Sequence, residues 1–253
     1  MYQYPLILKI FKYKQGKRGE SIMSKLKLSA ILGAASILLS ATGPSMAGGL
    51  ALGVQGSAVY IETSGTETLK TSGTQTKASE SAAGAIPGAF IQYTFGDNGF
   101  VVGLEKIPGR ASLGRQERTT TDALEGNDPN NTSDAPSGTQ TAKANVQDHI
   151  SAYVETPGWG PTGLHVKLGY SKATIETEES LYTGAAYGNE DINGYTVGVG
   201  FKNANDNGML MKVTAEYTDY DNVTFNSTGS DVSTKIVADP EIYALKLSIG
   251  YQF

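Results

Sequence analysis

This sequence predicts an all-β fold: an eight-stranded antiparallel up-and-down transmembrane β-barrel, with short turns at one rim and long loops at the other. Three observations carry the prediction. The last eleven residues alternate strictly, with Tyr243, Leu245, Leu247, Ile249, Tyr251 and Phe253 on one face and Ala244, Lys246, Ser248, Gly250 and Gln252 on the other. A period of two marks a strand with one apolar face, and this length suits a tilted membrane crossing. Eight such stretches are joined by connections that run long, short, long, short, long, short, long. A soluble sandwich has no reason to sort its loops this way. Aromatic residues also collect at the strand ends. Phe95, Phe100, Trp159, Phe201, Tyr251 and Phe253 lie near the short turns, and Tyr60, Tyr170, Tyr195, Tyr217 and Tyr243 toward the long loops. Two aromatic girdles are what rings at the two bilayer interfaces produce.

The elements follow in order. The first predicted strand is Leu50 to Glu62, with Leu52, Val54, Gly56, Ala58 and Tyr60 on one face and Gly53, Gln55 and Ser57 on the other. Thr63–Ala83 is rich in Ser, Thr and Gly without apolar periodicity and reads as a loop. The second strand, about Ile86–Phe95, meets the third, starting at Phe100, across Gly96-Asp97-Asn98-Gly99, a tight hairpin turn. The third runs to about Arg110, with a weaker continuation toward Arg118, and Thr119–Ala144 reads as the longest irregular tract. Strands four and five, about Val146–Thr156 and Gly163–Ala173, flank a short Pro/Gly turn around Trp159. Glu176–Asp191 reads as an acidic loop into which the flanking strands can extend. Strands six and seven, Ile192–Lys202 and Met209–Tyr220, flank an Asn/Asp/Gly turn, and a loop over Asp221–Pro240 leads to the closing strand.

The amino terminus has the three parts of a secretory signal peptide over residues 23–47. These are a basic start at Met23-Ser-Lys-Leu-Lys, an apolar run from Leu28 to Leu39, and a small-x-small site at Ser45-Met46-Ala47. Cleavage is expected between Ala47 and Gly48, leaving 48–253 as the barrel; residues 1–22 read as a gene-model extension or a long n-region. Of the 20 cations 7 precede Gly48, and of the 25 acids 1 does, so the mature chain carries 13 against 24, a net charge near −11. That balance argues against nucleic acid as a partner and permits binding of divalent cations or of a cation-coated surface. There are no cysteines, hence no disulfide, thiolate metal site or lipidated cysteine. Past the signal no run of 18 apolar residues occurs, so any membrane crossing is made by strands.

The order, strand lengths and aromatic closing strand resemble the small eight-stranded outer-membrane β-barrel family: opacity-, attachment- and virulence-type surface proteins of Gram-negative bacteria, sometimes called porin-like. The resemblance covers most of the mature chain and rests on architecture, with no diagnostic motif. It implies a location in the outer membrane, reached through the periplasm. It implies contact with outer-membrane lipids and lipopolysaccharide, and insertion by the barrel-assembly machinery. In that family the closing strand is the assembly signal, which here falls on Tyr243, Leu245, Leu247, Ile249, Tyr251 and Phe253. Some relatives carry a soluble peptidoglycan-binding domain after the barrel, and none is expected here.

With the apolar face toward lipid, the opposite faces fill the lumen with Gln55, Gln92, Glu105, His149, Glu155, His165, Lys167, Lys212, Glu216 and Lys246. Eight strands leave room for little more than side chains. Counted from the short-turn ends, Glu105, Lys167 and Lys212 fall at one depth and Glu216 and Lys246 at another. Three lysines against three glutamates predict a packed, charge-balanced lumen network rather than a pore. The lumen glycines, Gly53, Gly103, Gly169, Gly198, Gly200 and Gly250, are what a narrow ion path would use instead.

Chemistry is sparse. His149 and Ser151 form a His-x-Ser pair on one strand face, resembling that of lipid A deacylase barrels. Alternation turns the pair toward the lumen, away from any lipid substrate, so no enzyme is expected. The acids Glu176, Glu178, Glu179, Glu190 and Asp191, and Asp219, Asp221, Asp231, Asp239 and Glu241, offer oxygen ligands without calcium-loop spacing. No phosphate-binding glycine loop or His/Cys cluster occurs, and no cofactor is expected. The function expected is a surface-loop scaffold with a structural or adhesion-type role, its loops meeting an extracellular ligand. The alternatives are a narrow solute channel and, third, an envelope lipid-modifying enzyme.

Overall fold

A computed structural model describes residues 48–69, 73, 75–96, 99–121, 137–180, 186–228 and 234–253. Ten strands follow in chain order: β1 (Gly49–Leu69), β2 (Gln75–Phe95), β3 (Phe100–Lys106), β4 (Arg110–Thr121), β5 (Ser137–Glu155), β6 (Leu164–Ser180), β7 (Glu190–Ala204), β8 (Met209–Tyr220), β9 (Val223–Asn226) and β10 (Thr234–Gln252). All pairings are antiparallel. The order β1-β2-β3-β5-β6-β7-β8-β10 returns to β1 through rungs from Ala51↔Gln252 to Leu69↔Thr234. The result is a ring of eight staves. β3 and β4 are one stave interrupted by Ile107-Pro108-Gly109, and β8 and β9 are one stave interrupted at Asp221 and Asn222. Pro108 has no N–H to give to a ladder, which is why the strand breaks there. Above the break the wall has a seam. β2 pairs with β3 only from Ala89↔Lys106 downward, while β4 pairs with β5 alone. No helix among the described residues is long and apolar enough to cross a membrane.

The lower part of the ring is inside out. Leu52, Val54, Ile91, Val102, Leu104, Leu168, Val197, Val199, Leu247 and Ile249 are exposed on the outer wall, and Val54 is 66% exposed. Gln55, Ser57, Gln92, Thr94, Glu105, Glu155, Lys167, Lys212, Thr214 and Lys246 are buried within. In water such a surface would be strongly unfavourable, at about 25 cal/mol per Å² of apolar area. In hydrocarbon it costs nothing, and the closed ladder leaves no backbone group for lipid to satisfy. Ring contacts sort to the two rims of this belt. Tyr93–Phe95 (4.9 Å) and Tyr251–Phe253 (5.1 Å) lie near the short turns, and Tyr170–Tyr195 (5.4 Å) and Tyr217–Tyr243 (5.1 Å) lie at the other rim.

The strands continue well past the upper girdle, which corrects the predicted loops. Thr63–Leu69 belongs to β1 and Gln75–Ala83 to β2, paired from Thr63↔Glu80 to Thr68↔Gln75. Likewise β4 reaches Thr121, β5 starts at Ser137, β6 reaches Ser180, and β9 with the start of β10 fills much of Asp221–Pro240. Here the outer wall meets water, so it needs no apolar alternation, and Thr is itself a good strand residue. Inside, the polarity is reversed. Ala173, Ile175, Ile192, Tyr220, Val223, Phe225, Ile236 and Ala238 form a buried apolar cluster, joined by Tyr187. On β5 a bulge between Gln147 and Ile150, with Asp148 at φ 56°, shifts the register where the polarity changes.

The belt places a prediction. Val54→Arg puts a cation on the lipid face and should cost about 2–4 kcal/mol in urea unfolding from bilayers. Ser64→Arg, exposed on the same face above the belt, should change stability by less than about 0.5 kcal/mol.

Candidate functional site

The lumen holds two layers of paired charge. In the upper layer Lys167 donates to Glu105 at 2.9 Å and to Glu216 at 2.8 Å, and Lys246 donates to Glu105 and lies 2.9 Å from Glu216. Gln55 adds a longer contact to Glu105 at 3.4 Å. Two cations and two anions close a neutral square drawn from β3, β6, β8 and β10. In the lower layer Lys212 donates to Glu155 at 2.8 Å and to Gln92 at 2.7 Å, and Lys202 lies 3.5 Å from Glu155. His165 Nε2 is 3.9 Å from Glu155 Oε2. Lys202 also donates to the carbonyls of Thr156 at 2.9 Å and Gly99 at 3.3 Å. Glu155 is 1% exposed and His165 fully buried. Desolvating charges this deeply is unfavourable unless each finds several partners, and Glu105, Glu155 and Glu216 each have two lysines within 3.5 Å.

The predicted depths therefore need correction. Glu105 and Lys167 meet, and so do Glu216 and Lys246, but the four form a single layer. Lys212 lies apart from them, in the layer of Glu155. Barrel strands tilt and stagger, so residues at equal distance from their own turns are not level across the ring. Lys202 was missing from the predicted set. Its even position, in phase with Thr196, Gly198 and Gly200 on β7, is the signal that places it inside.

Two aromatic rings complete the filling. Phe90 and Tyr153 are buried in the lumen, with Lys167 4.2 Å from the Tyr153 ring centre and Lys212 4.8 Å from that of Phe90. Tyr153 donates to Gln92 at 3.1 Å. Three of the lumen glycines, Gly53, Gly103 and Gly250, make room for these rings. A Cβ on Gly53 would stand 2.5 Å from Phe90, and one on Gly103 would stand 2.4 Å from Tyr153. Above the upper layer a cavity of about 60 Å³ is bounded by Glu105, Lys246, His149, Val59, Ile61 and Ile242 among others.

Ser151 accepts a hydrogen bond from Ser171 at 2.9 Å, and His149 Nδ1 is buried without a partner. The His-x-Ser pair is thus on the lumen side, with Ser151 engaged elsewhere. Three acids of the predicted loop, Glu176, Glu178 and Asp191, are paired with cations. Glu176 and Glu178 hold Arg110 at 2.8 and 3.3 Å, Lys143 reaches Glu178 at 3.3 Å, and Lys172 holds Asp191 at 2.6 Å. The hydrogen bond from Lys172 keeps the Asp191 carboxyl below the usual carboxylate range. Among the described residues no group of three His, Cys, Asp or Glu could hold a metal ion. On the closing strand Tyr243, Leu247, Ile249, Tyr251 and Phe253 are exposed on the outer wall, and Leu245 is half-buried. Gly48 precedes β1, and Ala47 lies outside the described residues.

A closed ring, an apolar belt between aromatic rims and a polar lumen define a membrane-spanning β-barrel of the outer-membrane type. The solved structures it resembles are of that kind. OprG, an outer membrane protein of Pseudomonas aeruginosa, is 13% identical over 84% of this chain and 99% of its own, with a TM-score of 0.48. Neisserial surface protein A is 12% identical over 80% and 99%, with a TM-score of 0.38. Ail of Yersinia pestis, in complex with the heparin analogue sucrose octasulfate, is 12% identical over 82% and 100%, with a TM-score of 0.33. These are likenesses of fold. No protein-family model matches the sequence, and no curated protein does.

The upper layer is directly testable. Lys246→Met leaves Glu105 and Glu216 sharing one lysine and should lower stability by about 3–5 kcal/mol in urea unfolding from micelles. Adding Glu216→Gln should recover part of that loss. An unchanged midpoint for Lys246→Met would remove the structural role of the pairs.

Proposed function

We propose that this protein is an outer-membrane scaffold that holds an extended β-structure at the cell surface and serves the envelope in a structural, adhesion-type role. The observation that carries this reading is the lumen itself. Seven charged side chains and two aromatic rings are paired across the space that a channel would leave open. Of the glycines that favoured an ion path, Gly53 and Gly250 lie against Phe90 and Gly103 against Tyr153, while Gly198 and Gly200 lie against Thr214 and its neighbours on β8. An enzyme is disfavoured because Ser151 is bonded to Ser171 inside the wall, away from lipid. The partner-facing parts are then the strand ends and connections above the tyrosine girdle. The mature net charge near −11 favours a divalent-cation bridge to lipopolysaccharide, or a cationic surface, as what they meet.

On the same reading, residues 23–47 direct export and are removed after Ala47, and the assembly machinery recognises the strand ending in Phe253. Reconstituted into planar bilayers, the protein should show no stable conductance steps. Sustained large steps would overturn the scaffold reading in favour of the channel. Deleting Phe253, which is 72% exposed, donates its backbone N–H to the Leu50 carbonyl at 2.8 Å and sets its ring against Tyr251, should cut the amount inserted in the outer membrane severalfold. Normal surface levels would remove its role in assembly.

A further inference from the structure

The change of polarity inside the barrel leaves part of its hydrogen bonding open. A row of buried hydroxyls crosses four staves, from β5 to β8. Ser171 donates to Ser151 at 2.9 Å, Ser171 and Thr196 lie 3.4 Å apart, and Thr196 and Thr218 lie 2.8 Å apart. The row lies above the charge square, with Ser171 above Lys167 on β6 and Thr218 above Glu216 on β8. Each hydroxyl in the row has a neighbour. Three polar groups around it do not. Ser57 of β1 is 3% exposed, with its Oγ bonded to no other group of the protein, and His149 Nδ1 on β5 is likewise without a protein partner. The hydroxyl of Tyr220 on β8, near Ser171, makes no hydrogen bond of good geometry.

All three border the cavity of about 60 Å³ above the upper layer. Its floor is Glu105, Glu216 and Lys246, whose charges are already matched with that of Lys167. Its roof is apolar, with Val59, Ile61 and Ile242. Buried polar groups without partners are unfavourable, and native interiors keep few of them. What occupies the cavity is therefore decided by what would pair these three. An apolar guest would leave all of them unpaired. A charged guest would meet a floor that is already neutral. Among the described residues no group of three His, Cys, Asp or Glu could hold a metal ion. Water meets both the polarity and the size. A volume of about 60 Å³ is the share of about two molecules, and interior waters make about three hydrogen bonds each. A hydroxyl both gives and accepts a hydrogen bond, and a neutral imidazole nitrogen does one or the other, so water can serve all three groups.

We propose that this cavity is a hydration site built into the fold. It holds about two ordered waters, which bridge Ser57, His149 and Tyr220 and close the hydroxyl row into a collar between the two halves of the interior. The charged lower part needs hydrogen-bond partners up to its edge, and the apolar cluster above supplies few. The waters span that boundary. They are part of the filling of the lumen, because without them polar groups would stand unpaired beside the charge square.

Both tests use the full chain purified from outer membranes in detergent. A crystal structure that resolves ordered waters should place them within about 3.2 Å of Ser57 Oγ, His149 Nδ1 and Tyr220 Oη. An empty cavity, or one filled by a lipid or detergent chain, would overturn the site. The second test reads the sign of a stability change. Removing the hydroxyl that anchors a water lowers the urea midpoint, whereas removing an unpaired hydroxyl raises it. Ser57→Ala should therefore lower the midpoint. The drop should be smaller when Tyr220→Phe is already present, because the same waters serve both groups. A midpoint that holds or rises in Ser57→Ala would overturn the proposal, as would losses in the two variants that simply add.

Discussion

Lipid offers no hydrogen bonds, and the rest of this structure follows from that constraint. Every N–H and C=O at membrane depth must find a partner within the chain, which only a closed ladder allows for strands. Closure through β1 and β10 fixes the ring, and the ring fixes the lumen. Eight staves leave an interior the width of side chains. Alternation sends half of each strand's residues into it. Were all of those residues apolar the two faces would be alike; here most are polar or charged, in a space with little water, where they persist by pairing with one another. The square of Glu105, Lys167, Glu216 and Lys246 is thus a consequence of closure as much as a contributor to it.

The same strands answer the opposite constraint above the tyrosines. There the outer wall is wet and the interior must exclude water, as in an ordinary protein core. β1 shows the change without any break. Gln55 and Ser57 point inward in the belt, and Val59 and Ile61 point inward directly above it. β10 does the same in reverse chain order, from Ile236 and Ala238 to Lys246 and Ser248. One molecule therefore carries two cores of opposite polarity stacked on one set of staves, and the girdle of Tyr170, Tyr195, Tyr217 and Tyr243 marks the plane between them.

Two features of the wall are local departures from regular pairing, and each has a chemical cause. Pro108 stops β3 and leaves the seam between β2 and β4. The bulge at Asp148 absorbs an extra residue on β5, so that Val146 can pack against the upper cluster while Ser151 and Tyr153 keep to the lumen.

Much of this was legible in the residues alone. Strict alternation over Tyr243 to Phe253, the sorted turns and the aromatic rims determined the fold, the count of staves and which face meets lipid, because each depends only on local periodicity. The polarity of the lumen followed from the same parity, as did most of its charged members. The upper core was readable in principle, since Val59 with Ile61 and Ile236 with Ala238 repeat at period two on the face opposite the belt residues. It was obscured by the polar, Thr-rich outer face that such strands also carry. Three things required the tertiary structure. Depth across the ring depends on tilt and stagger, so Lys212 parted from Glu105 and Lys167, with which its distance from the turn had grouped it, and Glu216 and Lys246 joined them. The fit of Phe90 over Gly53 and of Tyr153 over Gly103 joins residues from different strands. The meeting of Ser57, His149 and Tyr220 at one cavity joins β1, β5 and β8. None of these is a property of one strand, and periodicity describes one strand at a time.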